Sequence, residues 1–264
     1  MGGRIVIKLG GNLITDKRKQ KALDIGAIES VSDVIADLAK AGLSIVIVHG
    51  AGSFGHILAR KWKIADGANP AIIDHQIRAV EQIRSDMLEL NAAIVGCLSR
   101  NGVASRSMPP SDWAKNTGGG FHGDISPFER APSDPLPITF GDVVDSGQGD
   151  FGILSGDDLM LRLSTELSNV THSIFLLGDA PGLMDRPPQQ HGAELLDSWN
   201  EEIEIESEHN AEVDVTGGIR LKVDRAGEIS KVVDHVWFLD GREPSRIVDL
   251  LQTGRTIGTR ILPG

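Results

Sequence analysis

Two runs of apolar, largely β-branched residues, Arg4 to Leu9 and Leu43 to Val48, constrain this chain more than any other feature. Neither alternates with polar residues, so each reads as a strand covered on both faces. Between them Ile28, Val31, Val34, Ile35 and Leu38 recur at helical spacing, with Asp24 placed as an N-cap and Gly42 as a stop. Strand, helix and second buried strand make a β-α-β unit, which points to a parallel sheet with helices on its faces. Both strands end in glycine-rich turns that carry basic groups. The first runs Lys8-Leu9-Gly10-Gly11-Asn12 and leads to Lys17; the second runs His49-Gly50-Ala51-Gly52-Ser53-Phe54-Gly55-His56. Bare backbone beside Lys and His is suited to gripping phosphates and moving a phosphoryl group. Two such turns suggest a donor phosphate and an acceptor phosphate facing each other.

The rest of the chain continues the alternation. Ile73, Ile77, Val80, Ile83, Met87, Leu90, Ile94 and Leu98 predict one long helix, or two, over 72–98, followed by a short strand over 103–108. Residues 109–137, rich in Pro, Gly, Ser and Asp, read as a loop or hairpin region. Ile138 to Val144 reads as a strand, 147–150 as a turn and Phe151 to Leu154 as its hairpin partner. Ser155-Gly156-Asp157-Asp158 then opens a helix lined by Leu159, Leu163 and Leu167. Ser173 to Leu177 is a strand ending at Gly178-Asp179, and 185–211 is a polar excursion. Asp214 to Gly218 opens a helix bearing Ile219, Val223 and Ala226. A strand over 236–239, a helix from Pro244 to Leu251 and a strand over 259–262 close the chain. We expect two lobes on one continuous sheet, 1–150 and 151–264.

A net charge of −11 argues against nonspecific nucleic-acid binding, and it requires any anionic substrate to be held by a local group of cations and N–H donors. Cys97 is the only cysteine, which excludes an intramolecular disulfide and a Cys-based zinc site. No signal-peptide pattern opens the sequence and no apolar stretch reaches membrane-span length, so the expectation is a cytoplasmic protein with no membrane partner.

Gly50-Ala51-Gly52-Ser53-Phe54-Gly55 also matches G-x-G-x-x-G, the dinucleotide-binding pattern. That reading wants an acidic residue at the end of a following strand; Asp74 has the distance, but 63–70 does not read as a strand. His56, at a helix start, is unfavourable as a cation unless an anion lies against it. Lys8 at a buried strand end likewise asks for an anionic partner. His49 is expected to pack or to orient its turn. The P-loop, the protein-kinase signatures and a zinc-type H-E-x-x-H are all missing.

Lys8-Leu-Gly-Gly11 with Lys17, His49 to His56, Ile153-Leu-Ser-Gly-Asp-Asp158 and Asp214-Val-Thr-Gly-Gly-Ile-Arg-Leu-Lys222 together resemble the amino-acid kinase superfamily, and within it the isopentenyl phosphate kinases. The resemblance implies an α/β fold: a three-layer αβα sandwich around an open, mainly parallel sheet. It puts the phosphate acceptor on the N-terminal lobe and ATP on the C-terminal lobe. Carried over residue by residue, Lys8, Lys17 and His56 form the catalytic set, with His56 also binding the acceptor's phosphate. Gly50, Gly55 and Gly156 would line that phosphate. Lys8, Gly10, Gly11, Ala51, Asp179, Gly218 and Lys222 would hold ATP. Mg2+ would travel on the nucleotide, Asp157 and Asp158 would orient lysines and backbone, and the protein would be a homodimer. The isoprenoid tail would lie on the 72–98 helix at Ile77, Val80, Ile83 and Met87. Three stretches depart from the family pattern: Gly178 to Met184 carries Pro181 where a second Asp is usual, Phe140-Gly141-Asp142 stands for H-G-D, and Ala51 replaces a glycine. Another small phosphate or phosphonate such as fosfomycin, or nucleotide binding without catalysis, remain open readings.

Overall fold

A computed structural model describes residues 3–16, 19–203 and 218–264. In chain order its elements are β1 (Arg4–Leu9), α1 (Gly11–Ile14), α2 (Ile25–Lys40), β2 (Ser44–His49), α3 (Gly52–Lys61), α4 (Ile73–Arg100), β3 (Ser105–Ser107), α5 (Pro110–Trp113), β4 (Ala114–Lys115), β5 (His122–Gly123), β6 (Leu136–Phe140), β7 (Asp142–Gly147), β8 (Asp150–Leu154), α6 (Gly156–Glu166), β9 (Val170–Leu177), β10 (Ser198–Trp199), α7 (Gly218–Ser230), β11 (His235–Asp240), α8 (Ser245–Thr253) and β12 (Thr259–Ile261), with three short 3-10 turns between them.

Eight strands form one sheet in the order β10-β12-β11-β9-β1-β2-β6-β3. From β11 through β3 every pairing is parallel; β12 runs antiparallel to β11 and takes β10 with it. β1 is buried along its whole length: Ile5, Val6, Ile7 and Leu9 are covered on both faces, and Arg4 and Lys8 are buried with them. Alternation sends Ile5, Ile7, Ile45 and Ile47 to one face, against Ile28 and Val31 of α2 and Ile83 and Leu90 of α4. Val6, Val46 and Val48 go to the other, against Leu159 and Leu163 of α6 and Val223 of α7. The expected three-layer αβα sandwich is therefore present, on one continuous sheet. Among the described residues no helix is long and apolar enough to cross a membrane.

Asp24 caps α2 through the Ala27 N–H, and the 72–98 pattern is a single helix. One expectation fails. Ile138 to Val144 is not one strand, because the chain leaves the main sheet at Gly141. β6 stays with β2, while β7 pairs with β8 and β4 in a second sheet ordered β5-β4-β7-β8. Gly141 makes the last rung, its N–H donating to the His49 carbonyl at 3.1 Å, then turns close to Gly156 and Leu154. Apolar residues on both sides of the break hide it from a periodicity reading. The 109–137 segment, expected as loop or hairpin, supplies α5, β4 and β5; strands of two residues have no measurable period.

Candidate active site at the carboxyl edge of the sheet

Each of the long parallel strands hands over to glycine at its carboxyl end: Gly10 after β1, Gly50 after β2, Gly141 after β6, Gly178 after β9 and Gly241 after β11. The N–H groups of Gly10, Gly50 and Gly241 reach carbonyls of Leu176, Leu9 and Leu177 at 3.0, 2.9 and 2.7 Å. The ladder thus gains one rung and ends in residues without side chains. β1 lies between β2 and β9: the chain builds outward on the β2 side first and later crosses back to β9 on the other, so this edge is also the switch point where open α/β sheets bind ligands.

The two N-terminal turns pack backbone on backbone. A Cβ on Gly11 would lie 2.4 Å from the Gly52 nitrogen, and one on Gly50 would lie 2.7 Å from the Gly11 nitrogen. Gly52 has φ +49, a left-handed conformation that suits glycine. Thr15 joins the turns: its Oγ1 donates to the Gly11 carbonyl at 2.6 Å and accepts the Ser53 N–H at 3.0 Å. Because the N-cap residue Ala51 has no oxygen to offer, Thr15 caps α3 from the neighbouring turn. The N–H groups of Gly11, Asn12, Ala51 and Gly52 meet no acceptor among the described residues. They line one crevice at two helix starts, where an anion is favoured.

Lys8 reaches this crevice from β1 on the α6 face. Its Nζ donates to the Asp157 carboxylate, and Lys222 Nζ of α7 lies 3.2 Å from both oxygens of the same group. Burial pushes the Lys8 ammonium down to about 7, with Asp157 pulling it back up. Burial alone would raise Asp157; Lys222 and Lys8 outweigh it and hold the carboxyl below the usual carboxylate range. One carboxylate between two lysines leaves a positive excess at the crevice. Gly156 gives the Lys8 stem room, since a Cβ there would lie 3.2 Å from Lys8 Cε. Asp158 takes Arg225 Nε at 2.8 Å and the Ser155 hydroxyl at 2.7 Å, fixing α6 to α7. Both aspartates thus orient cations and a helix start, as expected.

The structure brings Lys8, Gly10, Gly11, Gly50, Ala51, Gly156 and Lys222 together around the ends of β1 and β2. Lys17 lies outside the described residues, as does the 214–217 stretch. Near Lys17, Asp16 N–H donates to the Ala22 carbonyl at 2.9 Å, and Lys21 reaches Asp86 and Glu89 of α4 at 2.8 and 2.7 Å. His56 is half-buried in the second turn of α3. Gly55 answers a packing need: a Cβ would meet the Ala51 Cβ at 2.9 Å and Met87 Sδ at 3.7 Å. Of the suggested tail contacts, Val80, Ile83 and Met87 belong to the core, whereas Ile77 is 48% exposed. On the C-terminal half, Asp179 is exposed beyond β9 and Gly218 opens α7. Arg242, which the sequence reading did not single out, pairs with Asp240 through two nitrogens at 2.8 and 2.7 Å. Asp74 sits in the first turn of α4, not at a strand end, so the dinucleotide reading loses its ribose carboxylate.

Glycine turns and paired lysines at the switch point of a parallel sheet suit an anionic, phosphate-bearing ligand, and the chain belongs to the amino acid kinase family, whose model matches residues 3–235. It is similar to isopentenyl phosphate kinase of Thermoplasma acidophilum, 30% identical over 93% of this chain and 95% of that protein. It is also similar to the Methanothermobacter thermautotrophicus isopentenyl phosphate kinase, 29% identical over 97% of this chain and 98% of the relative. The crystal structure of the T. acidophilum isopentenyl phosphate kinase product complex superposes with a TM-score of 0.80 at 27% identity, covering 98% of this chain and 99% of that one.

Proposed function

We propose that this protein transfers the γ-phosphoryl group of ATP to isopentenyl phosphate, giving isopentenyl diphosphate. The observation that carries the proposal is the Lys8–Asp157–Lys222 cluster beneath two glycine turns with open N–H groups, in a chain whose full-length relatives are named for this reaction. The acceptor lies on the N-terminal lobe, 1–150, with its phosphate at His56, Gly50, Gly55 and Gly156. ATP lies on the C-terminal lobe, 151–264, against Asp179, Gly218 and Lys222, and reaches Gly10, Gly11 and Ala51 with its phosphates. A phosphate monoester is largely ionised at neutral pH, so its oxygen attacks phosphorus without a strong general base. The protein's share is position and charge. Lys8 and Lys222, already held by Asp157, need little reorganisation as charge spreads over the transferred oxygens. Lys17 completes the set.

Mg2+ would travel on the nucleotide, held by its phosphates and water, beside a site whose own charges are the Lys8–Asp157–Lys222 cluster. Asp157 and Asp158, at the start of α6, are both engaged by cations. The metal would supply charge neutralisation at the phosphates. The resemblance also carries a cytoplasmic homodimer, which size-exclusion chromatography with light scattering checks.

ADP release with Mg-ATP and, separately, isopentenyl phosphate, dimethylallyl phosphate and fosfomycin tests the reaction. Turnover with isopentenyl phosphate is expected. Silence on it, with ATP still bound, rejects the assignment. His56→Ala should raise the acceptor KM about tenfold or more, the scale of one charge-assisted hydrogen bond. An unchanged acceptor KM removes His56 from the acceptor site.

A further inference from the structure

His49 is a buried polar residue to which phosphoryl transfer assigns no chemistry. It ends β2, is fully enclosed, and stacks on Phe140 with ring centroids 4.8 Å apart. Its Nδ1 lies 3.1 Å from the Gly50 carbonyl oxygen, and its Nε2 lies 3.3 Å from the Asn91 side-chain amide on α4, placed with Oδ1 toward the ring and Nδ2 toward Ser107. The other end of that amide lies 2.7 Å from Ser107 Oγ of β3. A polar line therefore runs from β3, through α4, to the first peptide of the second glycine turn.

Burial lowers the His49 imidazole to about 4, so near neutral pH the ring carries one proton. A neutral ring donates at one nitrogen only. The Gly50 carbonyl can only accept, whereas the Asn91 amide can present either end at the same heavy-atom distances. One arrangement satisfies every group: Ser107 Oγ–H donates to the Asn91 carbonyl, the Asn91 NH2 donates to His49 Nε2, and His49 Nδ1–H donates to the Gly50 carbonyl.

The Gly50–Ala51 peptide is trans, so its C=O and N–H point in opposite directions. Fixing the carbonyl on His49 thus fixes the Ala51 N–H on the other side. Strand alternation puts His49 on the α4 face and Lys8 on the α6 face, with Leu9 paired to His49 and Lys8 to Val48. The Ala51 N–H is turned away from α4, toward the side where Lys8 emerges, and no described residue accepts it.

We infer that His49 is a positioning residue: held by Asn91 as a neutral Nδ1–H donor, it aims the Ala51 N–H at a phosphate oxygen in the crevice. It touches no substrate. The identity of that phosphate rests on the proposed kinase reaction; the aim of the peptide does not.

Long-range 1H–15N NMR of the histidine rings reads the tautomer in the unliganded protein. A proton on Nδ1 is expected, and a proton on Nε2 overturns the inference. The Ala51 amide resonance, followed as inorganic phosphate or Mg-ADP is added, should move downfield; no shift with either overturns it. Both readouts stand even if isopentenyl phosphate is not turned over, a result that would sink the kinase assignment alone. Kinetics give a third readout. Asparagine puts an N–H donor near the Nδ1 position and glutamine near Nε2. With Mg-ATP and isopentenyl phosphate, His49→Asn should stay near wild type while His49→Gln loses about tenfold or more in kcat/KM, the value of one hydrogen bond to a charged group. Equal losses in the two folded variants would reduce His49 to a packing residue.

Discussion

Thr15→Val tests whether the two glycine turns are one structural unit. Valine keeps the shape of the buried threonine and removes both bonds of Oγ1, to the Gly11 carbonyl and from the Ser53 N–H. Ser53 is itself buried, so its N–H loses the one partner it has among the described residues, at about 1–3 kcal/mol. The Gly11 carbonyl suffers less, because the backbone N–H of residue 15 still reaches it at 3.1 Å. The added methyl returns under about 1 kcal/mol. The net destabilisation is about 1.5–2.5 kcal/mol. Urea denaturation at pH 7 reads this directly: with a slope near 3 kcal/mol per molar, the midpoint falls by roughly 0.5–1 M. Thr15→Ser keeps both hydrogen bonds, loses one methyl and should fall by less than half as much. In the ADP-release assay the valine variant should also lose more kcat/KM than the serine variant, because the open N–H groups sit on the turns that Thr15 ties together. A valine midpoint no lower than that of serine refutes the cap.

Asp157→Asn removes the carboxylate that holds both lysines and should destabilise the fold more than Lys8→Met, which leaves Asp157 paired with Lys222 while removing turnover. Thermal unfolding ranks the two, and the reverse order contradicts the shared role. His49 makes the fold acid-sensitive: its folded-state value of about 4 lies below the ordinary 6.5, so the unfolded chain takes up the proton first. The contribution is whole above pH 6.5 and is lost as pH falls through 4, amounting to about 3 kcal/mol. Unfolding free energies from pH 7 to 4 should converge between wild type and His49→Asn; parallel curves would place the proton elsewhere. Gly156→Ala puts a Cβ 3.2 Å from Lys8 Cε and should lower kcat about tenfold with little change in the urea midpoint. An unchanged kcat would mean that the lysine does not depend on that space.

What the sequence makes legible is whatever a local period can encode. The β-branched run Ile5 to Ile7 of β1, the 3–4 spacing of α2 and α4, and the glycines that end the strands all announce themselves. Gly141 does not, because Phe140 and Val143 are apolar whether the strand continues or changes sheet. The lysines were legible as phosphate-seeking groups, yet the carboxylate that holds Lys8 comes from another element 149 positions away. Asp157 looks locally like first-turn helix chemistry. Thr15 and Asn91 have no signature at all. A threonine after a short turn and an asparagine inside a helix are ordinary, and only the docking of α3 and α4 against β1 and β2 gives them partners.

The Ala51 departure shows how far a glycine pattern can mislead about what a site needs. Ala51 has φ −79 and ψ −30, an ordinary right-handed conformation, so a methyl group costs the backbone nothing there. The next residue, Gly52 at φ +49, is the one that must lack a side chain. The Ala51 methyl also fills the space beneath Gly55, where a second Cβ would approach within 2.9 Å. The alanine therefore shifts the glycine requirement along the helix without touching the peptide N–H that faces the crevice. In a chain with a net charge of −11, such fixed N–H groups matter as much as side-chain cations. Lys8 and Lys222 share one carboxylate and Arg225 is taken by Asp158, so part of the positive potential offered to a phosphate comes from backbone that glycine and threonine hold open.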